Sequence, residues 1–465
     1  MNRFIRCPLV IALIIYGMTI VAFSQASVRL IHPQNASAST WKTWRLISGA
    51  VSPVYHPSIV VDKNGKWRIV FSWGNGLWVY SNLNSSWGDE IVDRNIDTII
   101  YVPFMVGHVV ASDSAGKLHV CYVTYDGSIF RLKYANNVYG SWGTWELLQD
   151  TELLGAPTIA VDSKNKIHIM TMRHTPSAHP PLYYITNLSG AWTIDSVAYA
   201  YDYASMAIDR NVKLHICAYT TPALQGITYI TNAPGSWQPP ESFDFVGDEH
   251  EGEVCSIDVD TLNRPHVSYL GGTNADTKYA TRTDTGWQII LIDTGGYITY
   301  DVGNCIKIDK KNKAHISYFN WKSKTLKYAT NASGNWINEV VDNSGAGMEN
   351  SIAADQAGYV HIAYSVDTGR TTSGLSLYYS TNAPMIEITN PHGGDRWTAG
   401  DTGTIMWNNV WGFTKTLYIL FSKDGGASFD TLSNNITADA EKYTWAISDT
   451  ILSTKCSTAW RISSG

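Results

Sequence analysis

The sequence has little charge. Asp, Glu, Lys and Arg make up 16% of its 465 residues, with 34 basic against 40 acidic side chains and no long run of either sign. A polyanion finds no basic stripe here, which excludes nucleic acid as an expected partner. Cysteine is scarce too. Beyond Cys7 there are only Cys121, Cys217, Cys255, Cys305 and Cys456, an odd number that cannot all pair within one chain. No segment shows a convincing 3.6-residue apolar period, so a helical fold is excluded. No cofactor motif is present. Only one apolar run is long enough to act as an export signal or anchor.

That run is N-terminal. Met1 to Arg6 carries two positive charges, Cys7 to Phe23 is apolar apart from Thr19, and Ser24-Gln25-Ala26 supplies small residues. The pattern is that of a signal peptide cleaved after Ala26, although its length also allows an uncleaved anchor. The expected organisation is a signal peptide over 1–26, a linker over 27–40, a repeat region over 41–384 and a second unit over 385–465. The expected location is extracellular or on the cell surface, with the membrane reached only through an uncleaved signal. The expected state is a monomer.

What is abundant is repetition. An apolar stretch ending in Asp recurs at Asp62, Asp113, Asp162, Asp209, Asp260, Asp309 and Asp355, at spacings of 51, 49, 47, 51, 49 and 46 residues. Six residues after each Asp stands Arg68, then His119, His168, His215, His266, His315 and His361. Each copy holds four short strand-like pieces: Ser-Ile-x-Val-Asp, His-Ile-x-Tyr, Tyr-Ala-Thr-Asn and a Gly-x-Trp turn opening the fourth. Strands of this composition, four per repeat of 46–51 residues, match a propeller blade. The expected fold is all-β: a seven-bladed β-propeller followed by a small sandwich.

Tryptophan counts the copies a second time. Trp87, Trp142, Trp192, Trp237, Trp287 and Trp336 open the fourth strand of repeats one to six, and the seventh repeat lacks its own. Trp41-Lys-Thr-Trp44-Arg-Leu-Ile47 parallels Trp142-Gly-Thr-Trp145-Glu-Leu-Leu148. Residues 41–47 are therefore expected to complete the last blade by pairing beside 375–382, which would close the ring. These motifs resemble the repeats of secreted bacterial and archaeal surface proteins loosely grouped with the sialidase-like propellers. The resemblance covers about residues 41–384 and implies a propeller fold and a surface location.

From Met385 the pattern changes. Strands are expected around 386–390, 403–407, 417–421, 443–447 and 458–462, a small all-β unit. Gly393-Gly-Asp-Arg-Trp397 and Ser422-Lys-Asp-Gly-Gly-Ala-Ser-Phe429 resemble motifs of Ig-like modules in bacterial surface proteins. The resemblance implies a spacer or attachment unit, and a sorting segment beyond residue 465 is left open. Ser422 to Phe429 also matches an Asp-box, but it lies outside the repeat, occurs once and suits a tight turn.

A feature present in every repeat is most economically structural. The Asp is expected to cap the turn between the first two strands and the His to hydrogen-bond within or between blades. Asp62-Lys-Asn-Gly65 looks like half a calcium loop but lacks the third oxygen ligand and the bidentate Glu, so no metal site is expected. Cys255 and Cys305, at similar places in adjacent repeats, are candidates for a bridge, although offset by one position.

Function is then expected where the repeats disagree, in the loops at one channel mouth. The candidate ligand-binding residues are Tyr55, Trp73, His108, Arg173, Tyr203, Asp301, Trp321 and Arg370. Aromatic faces beside carboxylate and amide acceptors suit sugar rings. Glu253, Glu349, His56 and His108 are the weak acid/base candidates for a hydrolase or lyase. Three readings stay open: a recognition module for a glycan or surface partner, a carbohydrate-active enzyme, and a structural or adhesive protein.

Overall fold

A computed structural model describes residues 11–15, 18–23, 27–31, 41–48, 54–82, 88–94, 110–174, 180–199, 202–220, 226–244, 254–272, 274–295, 303–345, 347–367, 375–383, 387–390, 402–408, 416–422, 430–437, 440–446 and 457–462. The chain forms two compact units. One holds Ser39–Ser81 and Gly88–Ala383; the other holds Met1–Ala38, Asn82–Trp87 and Pro384–Gly465.

The larger unit is all-β, with seven four-stranded antiparallel sheets, consistent with a β-propeller. In chain order, the first sheet holds Val54–Val61, Trp67–Trp73, Gly76–Ser81 and Gly88–Asp93. The second holds Val110–Ser112, Leu118–Tyr125, Phe130–Asn136 and Gly143–Asp150. The third holds Leu153–Val161, Ile167–His174, Pro181–Thr186 and Thr193–Tyr199. The fourth holds Asp202–Ile208, Leu214–Thr220, Gly226–Thr231 and Glu241–Asp244. The fifth holds Cys255–Val259, Pro265–Gly271, Asp276–Thr283 and Gly286–Asp293. The sixth holds Asn304–Ile308, Ala314–Asn320, Thr325–Thr330 and Ile337–Asp342. The seventh takes Asn350–Ala354, Val360–Asp367 and Leu375–Thr381 from the end of the repeat region and Lys42–Ile47 from its beginning.

The first strand of each sheet lies beside the first strand of the next, and that of the seventh lies beside that of the first. Burial follows position in the sheet. Second strands such as Pro265–Gly271 and Ala314–Asn320 are buried throughout, whereas the fourth strand Gly143–Asp150 is half-exposed and polar. That is how a sheet covered on both faces but open at its outer edge is built.

The repeated Asp performs the capping role. In all seven sheets its Oδ1 accepts the amides two and four residues on, as Asp162 does from Lys164 and Lys166, both at 2.8 Å. The turn requires a positive φ three residues after the Asp, which explains Gly65, Gly116 and Gly358 and the Asn at 165, 263 and 312.

In six sheets the His Nε2 faces the second oxygen of this Asp at 3.3–3.6 Å, while Nδ1 lies 2.6–2.7 Å from the hydroxyl of a third-strand Tyr. With Nδ1 accepting from the phenol, the proton sits on Nε2, toward the carboxylate. In the first sheet Arg68 Nη2 reaches Asp62 Oδ2 at 3.2 Å instead. The Tyr ring carries a further contact. Trp192, Trp237, Trp287 and Trp336 each pack on the Tyr of the preceding sheet, with ring centroids 4.8–5.9 Å apart. Trp41 does the same on Tyr328 at 5.0 Å, and Trp44 meets Tyr379 much as Trp145 meets Tyr134.

A second link between sheets lies at the other end of the strands. Tyr122, Tyr269, Tyr318 and Tyr364 donate to Asp93, Asp244, Asp293 and Asp342 of the preceding sheet at 2.6–3.0 Å. Three of these carboxylates also take a lysine: Lys133, Lys278 and Lys327.

The smaller unit pairs Glu387–Asn390, Thr402–Asn408 and Lys442–Ala446 in one sheet. A second sheet contains Thr416–Ser422, Asp430–Thr437 and Ser457–Ile462. Asp430–Thr437 is a strand that the sequence pattern did not signal, because its polar run Ser-Asn-Asn hides the alternation. The Asp-box residues 423–429, Cys7 and Cys456 lie outside the described residues. Near the N-terminus, Ile11–Ile15, Met18–Phe23 and Ser27–Ile31 are strands, the first parallel to Ser457–Ile462. An apolar, β-branched run satisfies its backbone either as a helix in a bilayer or by pairing with a free sheet edge. No helix among the described residues is long and apolar enough to cross a membrane.

Cys255 and Cys305 are buried thiols with no disulfide between them. Cys305 Sγ instead lies 3.9 Å from Ser256 Oγ. The one-residue offset in strand position accounts for this.

Candidate functional site

The first strands surround an axial cavity of about 250 Å³ lined mainly by Ile, Val and Ala. Among the described residues its charged lining is Asp258 and Lys307, which pair at 3.0 Å. Such an apolar passage offers little to a polar ligand, so attention moves to its mouth, where the first strands begin.

There the structure brings Tyr55, His56 and Glu349 together. Tyr55 and His56 sit at the start of the first sheet, where the register slips between Tyr55 and Ser58. The slip is a bulge, and His56 takes it up with φ +52°, a conformation that disfavours any side chain bearing Cβ. The bulge turns the His56 amide toward the seventh sheet. It donates to Glu349 Oε2 at 2.9 Å, and His56 Nδ1 lies 3.3 Å from Oε1. The amide thus holds one carboxylate oxygen, the imidazole lies beside the other, and the side chains are 12% and 20% exposed. The Tyr55 ring lies 6.0 Å from the imidazole. Burial, and then the Glu349 charge, pushes the Tyr55 phenol above its ordinary value.

Trp73 ends the adjacent strand opposite Val54, and its ring meets Trp78 edge-on at 5.5 Å. The rim is therefore aromatic on one side and acidic on the other. Trp321 packs edge-on against Phe319 at 5.2 Å, over a small cluster with Val254, Leu270 and Met348. Arg173 is engaged: its Nε and Nη2 reach Asp150 at 2.9 and 3.0 Å, on the fourth-strand Asp that in other sheets accepts from a Tyr, while Thr171 fills the Tyr position here. Tyr203 lies in a described strand, but its side chain does not belong to the described residues; His108, Glu253, Asp301 and Arg370 lie outside them altogether.

Two neighbouring asparagines of the same rim are structural. Asn350 is buried, accepts from Ser317 at 2.6 Å and donates to the carbonyls of Gly303 and Gly347. Asn304 is buried and accepts from Ser268. No cluster of His, Cys, Asp and Glu among the described residues could hold a metal ion.

The sheets define a β-propeller-like all-β protein. No family model matches the chain. No curated protein matches it either. Solved structures similar to it include a protein of unknown function from Dyadobacter fermentans, 11% identical, covering 73% of this chain and 98% of that one with a TM-score of 0.42. Another is the six-bladed propeller lectin of Aleuria aurantia, titled for its fucose recognition, 13% identical over 63% of this chain and 96% of that one, with a TM-score of 0.44. A third is an ulvan lyase, 10% identical over 72% and 95%, with a TM-score of 0.47.

Proposed function

We propose that this is an exported recognition protein that binds a glycan at the mouth of a closed, seven-bladed propeller. The seven sheets are read as the seven blades, with Lys42–Ile47 as the closing strand. The smaller unit is read as an Ig-like spacer, and residues 1–26 as the export signal.

The grip of His56 on Glu349 carries the reading. A carboxylate that accepts the His56 amide meets a ligand already oriented, and its remaining lone pairs suit sugar hydroxyls. The aromatic residues Tyr55 and Trp73 at the same rim suit the C–H face of a sugar ring. By sequence, His108, Tyr203, Asp301, Trp321 and Arg370 fall near the corresponding loops of other repeats and are proposed as further contacts. Arg173 is assigned to positioning Asp150. An inverting or retaining hydrolase needs a second carboxylate about 5–10 Å away, whereas recognition needs only a fixed carboxylate beside aromatic faces, and the rim of Tyr55, Trp73 and Glu349 is read as such a binding site. The test is a glycan array probed with the full exported chain. A single class of glycan should be retained; no glycan retained even at high protein concentration would contradict the proposal.

A further inference from the structure

On the face opposite the mouth, the repeat breaks once in a way the mouth does not explain. Six sheets carry Asn just after the third strand: Asn82, Asn137, Asn187, Asn232, Asn331 and Asn382. In five of them its Oδ1 accepts the amide that opens the second strand, at 2.7–2.9 Å. The fifth sheet opens its second strand with Pro265, which has no amide to cap. There the Asn is replaced by Arg282.

Released from capping, Arg282 reaches the fourth sheet. Its Nη1 donates to Glu241 Oε2, and its guanidinium lies 5.8 Å from the Tyr229 ring and 5.9 Å from that of Trp287. Glu241 sits opposite Tyr229 as Glu339 sits opposite Tyr328. Glu339 accepts the indole N–H of Trp41 at 2.9 Å, whereas Arg282 has taken Glu241, and the buried Trp287 Nε1 has no partner among the described residues. Beside this pair opens a groove of about 600 Å³, floored by Tyr229, Pro234 and Pro239 and flanked by Arg264 and Asp284.

We propose that this groove is a second ligand site, taking a neutral sugar through Arg282 and Glu241. A hydroxyl both donates and accepts, and an arginine–carboxylate pair offers an acceptor and a donor side by side. Charged ligands fit less well, because Arg264 and Arg282 balance Glu241 and Asp284 across the lining and Arg264 is already held by Asp260 at 2.7 Å. Tyr229 and the two prolines supply the apolar floor that sugar binding needs, and the volume lies within the roughly 300–1,000 Å³ of small-molecule sites. This assignment does not depend on the mouth.

The test is saturation-transfer NMR on the full chain with methyl glycosides of glucose, galactose, mannose, xylose and a 6-deoxyhexose, with glucuronic acid and glucosamine as charged counterparts. At least one neutral glycoside should receive saturation. Arg282→Asn, which restores the residue of the other sheets and should fold normally, and Glu241→Gln should each weaken its binding by about tenfold or more, roughly the loss of one hydrogen bond to a charged group. Saturation of charged glycosides only, of none, or saturation that survives both substitutions in a chain also carrying Glu349→Gln overturns the proposal. A signal lost in Glu349→Gln but kept in Arg282→Asn belongs to the mouth and equally overturns it.

Discussion

The amide of Ile59 donates to Ser351 Oγ at 3.2 Å, tying the first sheet to the seventh. Ile257 and Ile306 make the same bond to Ser205 and Ser256 of the sheets preceding theirs, at 3.3 and 3.1 Å. The two ends of the repeat region therefore meet through the contact that joins consecutive sheets. Ser351→Ala leaves a buried amide unpaired and should cost about 1–3 kcal/mol. Ser256→Ala should cost the same within error by urea unfolding. A loss confined to Ser256→Ala would mean that the ring is open in solution.

Trp41 should behave as a core residue although it lies 298 residues from its hydrogen-bond partner Glu339. It is buried, packs on Tyr328 and donates to Glu339. Trp41→Ala should cost about 3–5 kcal/mol. Hydrogen exchange should quicken in Leu375–Thr381, the strand that Lys42–Ile47 covers. Tyr139→Ala, at a ring that is 90% exposed, is the neutral control.

The buried Asp–His–Tyr sets make stability depend on pH. Burial holds the imidazoles of His119, His168, His215 and His266 below their ordinary range, against the pull of their aspartates. A depressed folded-state pKa means that the unfolded chain takes up protons first as pH falls. The stabilisation is therefore complete above the unfolded value of about 6.5 and is lost below it. The melting temperature should hold between about pH 8 and 7 and fall as the pH drops through 6.5 toward each imidazole's folded value. A flat profile down to about pH 5 would contradict this origin.

His56 sets stability against binding. Its positive φ is one that glycine adopts freely, so His56→Gly should keep the fold and gain up to about 1 kcal/mol. The same change removes the imidazole from Glu349 and should weaken glycan binding. A destabilised His56→Gly variant would show that the imidazole contact outweighs the backbone strain.

Much of this scaffold was legible in the sequence because a repeat writes each structural residue several times. Asp capping the turn, His within the sheet and Trp41 completing the seventh sheet all announce themselves by spacing. The link from Tyr269 to Asp244 did not, because its partners belong to different repeats and lie at strand ends with no fixed interval. The rim was half legible. Tyr55, His56 and Glu349 stand where repeats disagree, but the 293 residues between His56 and Glu349 vanish only through ring closure. Arg173 broke the pattern for a structural reason, taking Asp150 from two residues beyond the Tyr position, which Thr171 fills here. Arg282 carried a readable signal: an Arg in the place of Asn, together with a Pro that removes the amide the Asn would cap.

Titration calorimetry of a glycan retained on the array, against the unaltered chain and Glu349→Gln, tests the central claim most directly. The substitution keeps the shape and both contacts to His56 within reach but removes the charge. The expected result is an affinity at least about tenfold lower, as for a lost hydrogen bond to a charged group, with the melting temperature unchanged. An unaltered affinity would contradict a glycan site built on Glu349.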